Sequence, residues 1–275
     1  MSAAPIGYDP KTFKPRTFHD RVAGFSAGTD DPVRYLEECL AVIDAREPTV
    51  KAFVTLNRDG ARAAAEASAK RWKAGTPLSP IDGMPVGVKD LYMTKDMPTQ
   101  MGSPLYAGRE THEDSAPVQA LRLAGAVVIG KTVTTELGFS HPGPTTNPFD
   151  PARTPGGSSS GSAAAIGAGM VPATLGSQVV GSIIRPAGFC ANTAIKPTLS
   201  ALNRGERQGM SQSHLGVHAG CIEDMWAVAA AIASFVGGDP GHPGLTGPAT
   251  PPAPIRPRRL IVLETEGWVD TGDAT

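Results

Sequence analysis

Three observations predict an α/β fold in which a mixed, largely buried central sheet is covered by helices on both faces. Short continuous apolar runs of strand length recur, alanine-rich segments at helical spacing separate them, and a long glycine- and serine-containing stretch carries no charge between Arg153 and Arg185. Asp31-Pro32 ahead of VRYLEECLAVIDARE supplies an N-cap and a proline at the first helical position, so a helix starts there. VKAFVTLN reads as a short strand, and Asp59–Lys73 as a second helix ended by Gly75; the two helices are expected to cover one face of the sheet. GMPVGVKDLY, residues 83–92, is a β-branched run bounded by glycine and proline, which puts Lys89 inside a buried strand. DSAPVQALRL (114–123) predicts a helix and AGAVVIGKT (124–132) a strand.

PGGSSSGSAAAIGAGM, residues 155–170, has the glycines and serines of a linker, but a solvated linker lacks the apolar partners found here. Residues 163–170 are expected to form a helix packed closely through small side chains, with VPATLG as a strand behind it. Residues 195–220 read mostly as turns, Ile222–Val236 as a helix ended by Gly237-Gly238, 237–257 as a Pro/Gly loop and RRLIVLE as a last strand. We expect one domain over residues 1–275, with an N-terminal helical part (1–75), a core (76–236) and a C-terminal loop and strand (237–275).

Composition narrows the classes of function. Lys and Arg (25) nearly balance Asp and Glu (26), so the basic footprint of a nucleic-acid or membrane-surface binder is missing and a small or neutral ligand is favoured. Three cysteines, Cys39, Cys190 and Cys221, are an odd number in a chain of this size; they argue against a disulfide framework and for a reducing, cytoplasmic setting. The first twenty residues hold no apolar signal core, and no uninterrupted apolar run is long enough to span a bilayer.

Two features call for a chemical reason. An ammonium in an apolar strand is costly unless it is paired or loses its proton, and a neutral Lys89 is a base. A serine hydroxyl becomes a nucleophile only when a base takes its proton, and serines stand among glycines at both ends of the uncharged segment, at Ser158 and Ser182. Gly181 before Ser182 lets the backbone turn tightly and aim several N–H groups into one cavity, as an oxyanion hole requires.

The run PGGSSSGSAAAIGAGMVPATLGSQVVGSIIRPAGFCANTAIKPT resembles the signature of the amidase signature family, and so do GMPVGVKD, LRLAGAVVIGKTVTTELG and TTNPFDPARTPGGSS in the order expected. The resemblance covers residues 30 to 265, with the signature at 150–198. It implies the family fold, lacking its C-terminal portion, and a serine hydrolase with no metal or cofactor. By matching position it makes Ser182 the nucleophile, Lys89 the base and Ser158, 24 residues before Ser182, the bridge that follows a cis peptide bond. Backbone N–H groups of Val179, Val180, Gly181 and Ser182 would hold the oxyanion. Substrate contacts are expected from Met84, from Met101, Gly102 and the segment to Ser103, and from Phe139 to Pro142 including His141.

The chain departs from the usual D-x-G-G-S before the nucleophile: Gln178 and Val180 replace an acidic residue and a glycine, and Ser160 replaces a common glycine. Ser159 and Ser160 are read as hydrogen-bonding scaffold, and Arg185 and Asp150 as loop anchors. The expected partner is a small amide, carbamate (a urethanase substrate) or ester, with no nucleic acid and no membrane; a homodimer is compatible with the sequence. Because family members are usually considerably longer, a truncated or non-catalytic relative, for example one component of an amidotransferase, is the alternative. A zinc site at His214, His218 and Cys221 is disfavoured, since Gly216 and Gly220 oppose a helix presenting them. A phosphate-cradling loop is disfavoured because GGSSSGSA lacks the Lys-Ser/Thr ending that one needs.

Overall fold

The computed structural model describes residues 13–205 and 212–261. Helix α1 (His19–Ala27) precedes α2 (Pro32–Val50), whose N-cap Asp31 accepts the N–H groups of Val33 and Arg34. Strand β1 (Phe53–Leu56) leads into α3 (Arg58–Lys73), capped by Asn57 accepting from Gly60 N. Then come β2 (Pro85–Lys89), α4 (Ala116–Leu123), β3 (Val127–Thr132), α5 (Ser160–Gly167), β4 (Ala173–Gln178), α6 (Ile184–Phe189), β5 (Thr193–Ile195), β6 (His214–Ala219) and α7 (Ile222–Val236).

Among the described residues six strands form one mixed sheet in the order β1-β3-β2-β4-β6-β5, as the α/β reading expects. Its centre, β3-β2-β4, is parallel, and every residue of these three strands is buried, because helices cover both faces. On one face Val118 and Leu121 of α4 and Val228 and Ile232 of α7 pack against Val86, Val88, Val128 and Leu175. On the other, α2, α3 and α5 meet Val127 and Ile129 through Leu40, Ala61, Ala65 and Ala163–Ile166. The N-terminal part is therefore not purely helical, since β1 joins the sheet beside β3.

All eight residues of α5 are buried. A side chain at Gly161 would put its Cβ 2.2 Å from the carbonyl oxygen of Ala52, so only glycine lets this helix lie against the sheet edge. This is why the glycine- and serine-rich stretch is core and not linker.

Four elements were not legible in the pattern: α1, α6, β5 and β6. The last two fall in or beside residues 195–220, expected to be mostly turns. HLGVHA has weak strand propensity, and its conformation is decided by antiparallel pairing with β4, Gly216 opposite Gly176. Residues 258–261 of the expected final strand are exposed and form none, because no strand pairs with them among the described residues; 262–264 lie outside those residues. Among the described residues no helix is long and apolar enough to cross a membrane.

Candidate active site

Lys89 is the last residue of β2, in register with Thr132 of β3, and it is fully buried. Its Nζ lies 2.8 Å from Ser158 Oγ, 3.0 Å from Ser159 Oγ, 2.9 Å from Ser177 Oγ and 3.3 Å from the Ser177 carbonyl oxygen. None of these is a carboxylate. Burial without a counter-charge drives the Lys89 pKa well below that of an ordinary lysine. The neighbouring acid, Asp90, is engaged elsewhere: it pairs at 3.0 Å with the buried Lys131.

Ser158 enters the site from the loop before α5, after a cis Gly157–Ser158 peptide bond. Arg185 fixes that loop by donating twice to the Gly157 carbonyl, at 3.1 and 2.7 Å, and Ser158 O accepts the Thr135 N–H at 3.1 Å. Ser182 lies at the turn after β4. Ser159 N donates to the Ser182 carbonyl at 3.2 Å, which ties the two serine loops together. Ser182 is partly exposed and, among the described residues, its hydroxyl makes no hydrogen bond to Ser158 or Lys89. Gln178, where an acid is usual, holds the turn: its Oε1 accepts the N–H groups of Ile183 (2.7 Å) and Ile184 (3.0 Å) at the start of α6, and its Nε2 donates to Val180 O. Val180 is 91 % exposed, so the branched residue stands out of the loop.

The remaining expected residues divide. Met101 and Gly102 both have positive φ, and Met101 O accepts the Leu137 N–H. That bond joins the 101–103 segment to the turn holding Phe139 and His141, both exposed. A Cβ at Gly138 would sit 3.7 Å from Ser158 Oγ, so this turn borders the serine. Met84 is different: just before β2, it is fully buried in the apolar core with residues of α4 and α7. A cleft of about 840 Å³ contains Gly102, Ser103, Asp90 and Thr134, and runs past β1 to Glu47 and Lys51 without including Ser158 or Ser182.

Ser159 turns out to contact Lys89 directly while donating to Ser177 O at 3.3 Å, and Ser160 Oγ donates to Val133 O. Asp150 pairs with Arg153 and accepts from Ala152 N, as an anchor. Ser177 was missed by sequence reasoning. The available signal was a hydroxyl in an otherwise uncharged strand parallel to the lysine strand, but only the strand order makes the two neighbours.

His214 and His218 lie on β6, not on a helix. His214 Nδ1 is 3.1 Å from Gln178 O, and His218 Nδ1 is 3.1 Å from Asn192 Oδ1. Burial, with Lys89 nearby, lowers the His218 pKa to about 3, so this ring is a neutral core histidine. Cys221 is turned away from both, toward His19.

The family model described as Amidase matches residues 34–260. The chain belongs to the amidase family. Among curated proteins it is 39 % identical over 238 residues to the A subunit of glutamyl-tRNA(Gln) amidotransferase from Chloroflexus aurantiacus, covering 84 % of this chain and 48 % of that protein. Among solved structures, the peptide amidase of Stenotrophomonas maltophilia superimposes with a TM-score of 0.74 at 30 % identity, over 83 % of this chain and 50 % of the other. A chain from a vestigial protein complex that reveals the evolutionary origins of an s-triazine catabolic enzyme gives a TM-score of 0.76 at 35 % identity, over 86 % and 53 %. The chain thus spans about half the length of these proteins.

Proposed function

We propose that this amidase-family chain cleaves the C–N bond of small amides or related carbamates, or the acyl C–O bond of related esters, through an acyl-enzyme on Ser182. The observation that carries this reading is Lys89: a fully buried amine surrounded by three serine hydroxyls and a carbonyl, with no carboxylate among the described residues to hold its proton. A neutral amine has two N–H donors and one lone pair. Ser159 gives its proton to Ser177 O and so accepts from Lys89, and Ser177 Oγ is the second acceptor. The lone pair is then left for the Ser158 hydroxyl, the geometry a proton bridge needs. Ser158 in turn takes the proton of Ser182 as Ser182 attacks the carbonyl carbon. The C–N bond breaks as the leaving amine recovers the proton along the same path, and water releases the acyl group.

The oxyanion of the tetrahedral intermediate is held by backbone N–H groups of residues 179–182. Among the described residues these groups have no hydrogen-bond partner, and Gln178 fixes the turn that carries them. Substrate is proposed to approach along Met101, Gly102, Phe139 and His141. Labelling by a fluorophosphonate, lost in Ser182→Ala and in Lys89→Met, tests the assignment; labelling that survives in Ser182→Ala rejects it. A panel of aryl amides, carbamates and esters then ranks the substrate classes.

A second reading, that the chain works as one component of a larger assembly, is favoured by the amidotransferase subunits among its relatives. Size-exclusion chromatography with and without co-expressed neighbours of the gene separates the two.

A further inference from the structure

At the end of β4 opposite the serines, Gly220 N donates to Pro172 O, and there the start of α7 meets the start of α1. Cys221 is the N-cap of α7, with its Sγ accepting the Asp224 N–H at 3.4 Å. Cysteine is an unusual choice where Ser, Thr, Asp or Asn normally serve. Its Sγ lies 3.3 Å from His19 Nδ1, and His19 Nδ1 lies 3.6 Å from Asp224 Oδ1; the three ligand atoms all fall within 4.8 Å of one another. The other ring nitrogen, His19 Nε2, is 3.0 Å from the Asp20 carboxylate. Asp224 is buried and is held in place by the N–H groups of Phe18 (2.6 Å) and His19 (2.9 Å). The approach of the two segments is built into the backbone, since a Cβ at Gly220 would sit 2.1 Å from Arg16 O.

We propose that His19, Cys221 and Asp224 form a site for a divalent metal of the zinc class, distinct from the hydrolytic serines and serving to pin the N-terminal segment to α7. A tetrahedral zinc with bonds of about 2.0–2.3 Å separates its N and S ligands by about 3.5 Å and its N and O ligands by about 3.3 Å. The two separations from His19 Nδ1, 3.3 Å to Cys221 Sγ and 3.6 Å to Asp224 Oδ1, lie within about 0.3 Å of those edges before any metal is added. Thiolate, imidazole and carboxylate together suit zinc or cobalt better than magnesium or calcium, which take oxygen ligands. The remaining features are those found around ligated metals: a carboxylate on the far nitrogen of the histidine, which sets its tautomer, and an N–H donated to the sulfur. Binding converts the Cys221 thiol to thiolate and releases that proton to solvent; the fourth position is left to water.

The test uses the full chain, stripped with a chelator and titrated with Co²⁺. We expect one cobalt per chain and a near-ultraviolet thiolate-to-cobalt charge-transfer band. Cys221→Ser, which keeps a good N-cap and hence the fold, should abolish the band, whereas Cys190→Ala, outside the cluster, should keep it. His19→Ala should weaken binding at least tenfold, and Asp20→Asn about 10–100-fold. No band with the unaltered chain, a band undiminished in Cys221→Ser, or an affinity unchanged in His19→Ala each overturns the proposal. Because none of these variants touches Lys89, Ser158 or Ser182, fluorophosphonate labelling reports separately on the hydrolytic reading.

Discussion

Lys89 behaves as it does because three serine side chains replace the counter-ion a lysine would normally have. Its pKa is lowered by burial, so the amine loses its proton at a pH below that of a free lysine. Activity should therefore rise with pH through the folded pKa and level off above it, with the rise complete before the ordinary lysine value of 10.5. Removing the Ser177 hydroxyl in Ser177→Ala takes away an acceptor that favours the ammonium; the midpoint of the rate profile should then move to lower pH, and a midpoint moving upward would reject this account. The same shift acts on stability. Between the folded pKa and 10.5 the unfolded chain binds more protons than the folded one, so stability rises with pH across that window. Chemical denaturation of Lys89→Met should show a flatter dependence there.

At the scale of elements, the site is held by close contacts between backbones and by one buried ion pair. Helix α5 carries Ser160 to Gly167 against the sheet, and a Cβ at Gly161 would also lie 2.4 Å from Val133 N. Gly161→Ala should cost about 1–3 kcal/mol by overpacking. It should depress labelling through displacement of Ser158, measured by denaturation and labelling of the same sample. On the other side of the lysine strand, Lys131 donates to Pro98 O and Thr99 Oγ1 and pairs with Asp90, which in turn accepts from Gln100 N. Lys131→Met strands a buried carboxylate and should destabilise by about 3–5 kcal/mol, whereas Lys131→Met with Asp90→Leu should recover much of that loss.

For the molecule as a whole, the N-terminal segment is a clasp. Phe18, fully buried, packs on Phe25 and Tyr35 with ring centroids 5.5 and 5.4 Å apart, while its N–H is bound by Asp224 of α7. Truncating it in Phe18→Ala should cost about 3–5 kcal/mol in equilibrium unfolding, although it lies far from the serines in sequence and reacts with nothing. Added zinc should raise the melting temperature of the unaltered chain, and of Phe18→Ala, but not of Cys221→Ser, if the clasp holds metal.

The chain's own residues determined the α/β class, the helices at Pro32–Val50, Arg58–Lys73 and Ile222–Val236, the lysine strand and the serine loop, because caps, apolar periodicity and glycines act locally. The notice given by Lys89, a charge in an apolar run, was also readable without a fold. The tertiary structure alone decided that Ser177 and Ser159 reach the same amine, since that depends on β4 lying parallel beside β2. It also decided that Met84 is core, that HLGVHA is a strand, and that Cys221 answers to His19, more than two hundred residues away, and not to the nearer histidines. In each case the missing information was a partner across the sheet or across the chain, which a local pattern does not contain.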